Sequence, residues 1–124
     1  MSVWRRKAIA CLPHLKTELE SKDVSIYEVF SELLAETIAA HKSGDDVKLK
    51  ACYEFAEWCL QQKEKKLWNA AGVSFYEHLG DQKETMLVMP QWVRRELYEQ
   101  IKGLIALRIG EGEMKVVDRL YGII

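Results

Sequence analysis

A chain of 124 residues is the size of one domain around one core, and 48% hydrophobic with 30% charged residues is the balance of a globular chain, not a disordered or fibrous one. A formal net charge of −1 argues against a dedicated nucleic-acid binder, which carries excess Lys and Arg to neutralise phosphates. No run approaches the roughly 18 apolar residues of a membrane span, so no membrane association is expected.

The first segment, residues 3–20, reads as a helix with Ile9, Leu12, Leu15 and Leu19 on one side. Pro13 interrupts it, because proline lacks the donor for the preceding turn and disfavours helical geometry at Leu12. The basic start Trp4-Arg5-Arg6-Lys7 is followed by no long apolar stretch before Pro13, so a secretory leader is not expected.

Ser25 opens the best-marked helix. Its side chain can cap the first turn while Glu28 reaches back, and Val24 can pack on Val29, so a capping box and a hydrophobic staple coincide. Ile26, Val29, Phe30, Leu33, Leu34, Thr37, Ile38 and His41 then keep amphipathic spacing until Gly44, which suits a left-handed stop. Asp45 or Asp46 can cap the next helix, residues 47–62, whose inner stripe runs through Leu49, Cys52, Tyr53, Ala56, Cys59 and Leu60. A short lysine-rich corner leads to residues 65–79, apolar on nearly every side and therefore expected at the centre of the fold, with Trp68 and Phe75 among its bulk and Gly72 admitting a close neighbour.

Residues 81–84 read as a polar loop and 86–89 as a buried linker. Pro90 suits the first position of a further helix carrying Val93, Leu97, Ile101, Leu104 and Ile105 inward. Gly110-Glu111-Gly112 breaks that pattern, and Met114 to Leu120 can add turns docked by Val116, Val117 and Leu120. The whole predicts a single all-α domain of five to six helices packed as antiparallel hairpins, either a bundle or a short HEAT-like α-solenoid.

No catalytic, cofactor-binding or metal-binding pattern is present. No two of His14, His41 and His78 stand three or four residues apart, the spacing that puts two ligands on one helix face. Cys52 and Cys59 lie seven apart on one helix, about 10 Å at 1.5 Å per residue, too far for a disulfide. The three cysteines are therefore read as inert core thiols in a reducing cytoplasm. With no nucleophile or metal singled out, the chain is read as non-enzymatic.

Candidate contact surfaces remain. Glu28, Glu32 and Glu36 stand four apart along one helix side, where like charges repel. They read either as a solvated face or as an acidic stripe, extended by Asp45 and Asp46, that docks a basic partner. Of four tryptophans, two are expected to be buried, with Trp58 and Trp92 as contact residues and a homodimer as one use of such a patch.

Finally, Asn69-Ala70-Ala71-Gly72-Val73-Ser74-Phe75-Tyr76-Glu77-His78-Leu79, after Phe55-Ala56-Glu57-Trp58-Cys59-Leu60 and downstream of Ile26-Tyr27-Glu28-Val29-Phe30, resembles a pattern in small bacterial helical proteins, some of them immunity proteins of toxin-immunity pairs. The resemblance spans residues 25–80. It implies a protein that binds and occludes a cognate toxin, and it assigns no residue roles. A small homo-oligomeric structural or regulatory module is the alternative.

Overall fold

The computed structural model describes residues 1–123. Every regular element among them is helical: α1 (Val3–Cys11), α2 (Lys16–Leu19), α3 (Ile26–Ser43), α4 (Asp46–Leu60), α5 (Lys65–Ser74), α6 (Lys83–Met86), α7 (Met89–Trp92) and α8 (Arg95–Leu120), with single 3-10 turns at Pro13–Leu15 and Tyr76–His78. Eight α-helices thus stand where five or six were expected. Breaks that cut longer predicted helices leave α2 and α7 as single turns, and α6 is a single turn where a polar loop and a buried linker were expected. No helix among the described residues is long and apolar enough to cross a membrane.

Local chemistry accounts for most boundaries. Pro13 ends α1 and opens a 3-10 turn, as its missing N–H requires. At Ser25 both halves of the capping box form: its Oγ accepts from Glu28 N at 3.2 Å, and its own N–H donates to Glu28 Oε1 at 3.3 Å. Gly44 closes α3 at φ +71°, a conformation that costs a side chain strain. Asp45 rather than Asp46 caps α4, accepting from Lys48 N at 3.1 Å.

Two breaks depart from the periodicity. The central helix ends at Phe75, whose φ of −129° leaves the helical region. Pro90 serves only the single turn of α7. Val93 and Arg94 are then extended, and α8 starts afresh at Arg95.

The core is built round α5, which packs against α3, α4 and α8. Leu67, Ala70, Ala71, Phe75, Tyr76 and Leu79 are buried there, as expected of residues 65–79. Phe75 is the hub: its ring lies 6.1 Å from Phe30, 5.6 Å from Tyr53 and 5.2 Å from Tyr76, edge-on or tilted to each. Small residues let helices approach. A Cβ on Gly72 would stand 3.1 Å from Leu104 Cδ1, and one on Gly80 would stand 2.9 Å from Ile105 and 3.0 Å from Ile109, so the tighter approach is at Gly80.

The tryptophans correct their expectation: none of the four is buried, and Trp68, placed in the core by periodicity, is 40% exposed. Within α8 the chain reverses at Gly110 (φ +81°, ψ 167°), and the last turns fold back on the first. Tyr121 stacks on Tyr98 with centroids 4.0 Å apart and donates to the Val93 carbonyl at 2.6 Å, while Tyr98 donates to Asp118 at 2.5 Å. Met114 and Val117 dock this tail. Val116 and Leu120 face outward instead.

Candidate functional site

Carboxylates are unevenly spread along this chain. Residues 16–36 hold six of them against two lysines, although the whole chain carries only −1. Three of the six, Glu18, Glu28 and Glu32, come together on a groove of about 410 Å³ between the α2 segment and α3, lined also by Leu15, Leu19, Val24 and Ser31. Leu15, Leu19 and Val24 give it an apolar floor, and Glu18, Glu28 and Glu32 stand exposed on its rim. Among the described residues no ion pair engages any of these three carboxylates.

One wall of the groove is held from a distance. The Arg5 guanidinium of α1 donates to the carbonyls of Leu19 (2.7 Å), Ser21 (2.7 Å) and Val24 (3.0 Å), tying down the link between α2 and α3. A planar fork with several fixed donors suits three converging carbonyls better than a lysine ammonium would. Sequence reading passed over Arg5 because its partners are backbone atoms 14 to 19 residues away. Glu18 was likewise missed, since it lies outside the stripe on α3.

The remaining candidates fall elsewhere. Glu36 leaves the stripe: it accepts from His14 Nε2 at 2.6 Å and Lys48 Nζ at 2.5 Å, bridging the Pro13 turn, α3 and α4. The Lys48 hydrogen bond outweighs partial burial and, helped by His14, holds its carboxyl below the ordinary 4.5. A depressed carboxylate stabilises the fold above its unfolded pKa, and that contribution is lost as pH falls through the folded value. On acidification from about pH 6 to about pH 3, thermal melts of the wild type should therefore lose more stability than those of Glu36→Gln, by about 0.5–1 kcal/mol for a partly exposed, solvent-screened pair. Parallel pH profiles for the two proteins would remove the network from the account.

Asp45 and Asp46 lie beyond the end of α3 and do not extend the stripe to the groove. Trp58 is half-buried under Lys7, whose Nζ sits 5.0 Å from its ring, beside a separate cleft lined by Lys7, Cys11, Phe55 and Trp58. Trp92 stacks on Tyr53 at 5.5 Å and meets His41 edge-on at 6.2 Å, while His41 Nε2 and the Tyr53 hydroxyl share a 2.8 Å hydrogen bond. Burial holds His41 below its ordinary value and Tyr53 above. Asn69 donates to the Tyr27 hydroxyl at 2.9 Å and links α5 to the start of α3.

No group of three or more His, Cys, Asp or Glu side chains able to hold a metal converges among the described residues. The described residues thus form an all-helical scaffold that carries an acid-rimmed apolar groove. The chain belongs to the family described as Domain of unknown function (DUF7674), whose model matches residues 6–108 and so takes in every residue of that groove. No curated protein and no solved structure matched it.

Proposed function

We propose that this chain is a non-enzymatic protein-binding module whose α2–α3 groove takes a basic amphipathic segment of a partner. What carries the reading is unpaired negative charge set round an apolar floor. Glutamates alone would make a solvated face, but Leu15, Leu19 and Val24 give a partner apolar surface to bury. Rim charge steers the encounter and fixes orientation, and the floor supplies the affinity.

The successive packing of α3 on α4 and α4 on α5 supports stacked antiparallel hairpins as the rigid backing of this surface. The resemblance of residues 25–80 to immunity proteins supports a bacterial toxin as partner, neutralised in the cytoplasm by steric occlusion. A homo-oligomer is the second reading, favoured by a cleft lined by Trp68, Gly72, Val73, Ile101 and Leu104 that leaves Trp68 40% exposed.

The test is the affinity of a lysine-rich amphipathic peptide by fluorescence anisotropy at low and high salt. The pair Glu18→Lys with Glu32→Lys should weaken it roughly tenfold to a hundredfold and flatten its salt dependence. Glu113→Lys, on the exposed far tail, should leave it unchanged. Equal affinity in all three proteins would overturn the groove, and failure of the chain to rescue cells from the product of the adjacent gene would overturn the toxin reading.

A further inference from the structure

The partly buried Cys11 of α1 and the buried Cys52 of α4 stand apart from the acidic groove. They lie 41 residues apart in sequence, yet their sulfurs are 4.0 Å from each other, with the Cys11 S–H directed at Cys52. Cys11 also lines the 230 Å³ cleft formed with Lys7, Ala10, Ala51, Glu54, Phe55 and Trp58, so a small oxidant can reach it while Cys52 stays covered. Cys59, the third cysteine, is buried outside this arrangement.

We propose that Cys11 and Cys52 form an oxidisable dithiol that closes to an intramolecular disulfide under a peroxide, tethering α1 to α4. The separation must shorten by about 2 Å to reach bonding distance. Neither helix has to leave its place, because the two already pack on each other.

The electrostatics leave one proton shared between the two sulfurs. The Cys11 S–H against it, with Lys48 nearby, lowers Cys52 to about 7 although burial acts the other way, and the same contact pushes Cys11 up. The pair therefore gives up one proton readily and holds the other tightly. Glu36 opposes Lys48 at both sulfurs. The neighbouring Tyr53 phenol stays protonated, its pKa raised by burial. Burial pushes Cys59 up to about 12 against a smaller opposing effect of Lys7, and no second thiol lies beside it to take its proton.

In the first step Cys11 passes its proton to the Cys52 thiolate as its sulfur attacks a peroxide oxygen. An S–O bond forms, the O–O bond breaks, and hydroxide leaves. That hydroxide takes the proton back from Cys52, giving water. The Cys52 thiolate then attacks the Cys11 sulfur, the S–O bond breaks, and the second hydroxide is neutralised by a solvent proton. Two thiols lose two electrons in all, and one hydrogen peroxide becomes two waters.

The test treats the full chain with hydrogen peroxide, then unfolds it, alkylates free thiols and maps the peptides by mass. The expected result is one alkylated cysteine, Cys59, out of three, with a linked peptide joining Cys11 to Cys52. That product should form equally in Cys59→Ser and be absent from Cys11→Ser and Cys52→Ser. The oxidised protein should melt roughly 5–15 °C higher than the reduced one and return on treatment with dithiothreitol. Three outcomes overturn the proposal: Cys11 oxidised to the sulfinic acid while Cys52 remains alkylatable, a Cys11-linked dimer as the main product, or three free thiols after treatment that fully oxidises glutathione.

Discussion

Replacing Phe75 with alanine is expected to destabilise the protein by about 3–5 kcal/mol, the range for removing a buried aromatic ring from a packed core. The side chain is fully buried and meets the rings of Phe30, Tyr53 and Tyr76, which belong to α3, α4 and the 3-10 turn that follows α5. Truncation therefore opens a cavity where several elements meet, with no single neighbour able to fill it. Equilibrium urea unfolding followed by circular dichroism measures the loss, and an unchanged denaturant slope assigns it to the folded state. Trp68→Ala is the comparison. Although Trp68 is the larger residue, its exposure limits the expected loss to about 1 kcal/mol. A Phe75→Ala cost no greater than that of Trp68→Ala would mean that residues 65–79 are not the centre of the core.

Arg5→Ala is expected to cost about 2 kcal/mol, the scale of losing charge-assisted hydrogen bonds that are partly replaced by water. The effect should be local as well as global. With the guanidinium gone, the carbonyls of Leu19, Ser21 and Val24 lose their common donor, and the link between α2 and α3 is left with short-range bonds: Ser21 N–H to the Glu18 carbonyl and Val24 N–H to the Ser21 carbonyl, each 3.2 Å, and Asp23 N–H to Ser21 Oγ at 3.3 Å. Amide exchange of residues 20–25 should speed up more than that of α5, and the lysine-rich peptide should bind at least about tenfold more weakly because one groove wall has moved. Arg5→Lys should recover only a small part of either effect, since an ammonium cannot span three carbonyls as a fork does. Wild-type exchange rates at residues 20–25 in Arg5→Ala would contradict this role.

How much of this was legible in the sequence follows the range of the interactions. Helix ends fixed by neighbours within four residues were readable: the Ser25 and Glu28 capping box, the left-handed Gly44, the Pro13 break and the Gly110 reversal each carry their own local chemistry. The break at Phe75 has no such marker. The backbone leaves helical geometry at Phe75 and passes into a 3-10 turn with no Gly or Pro to announce it. Val93 and Arg94 hide a second break for a related reason, since Pro90 starts a helix equally well whether it lasts one turn or six.

The candidate site divides in the same way. Glu28 and Glu32 were visible as a spacing, whereas Glu18 and the apolar floor arrive from a segment whose direction is set by the Pro13 turn. The loss of Glu36 to His14 and Lys48, the Arg5 anchor and the meeting of Cys11 with Cys52 all depend on the packing of α1 and α4, which no single-helix pattern encodes. The misplacement of Trp68 has a different cause. Its residue type suggests burial, but it stands at the edge of α5 where α8 leaves a cleft open.

The most direct measurement is a two-dimensional amide NMR titration of the isotope-labelled chain with the lysine-rich amphipathic peptide. An acid-rimmed groove that works by contact should give shifts concentrated in residues 15–32, saturable and weakened by salt, with α5 and the tail after Gly110 unmoved. Shifts centred on Trp68 and Leu104, or no saturable shifts at all, would show that the molecule's contacts are made elsewhere.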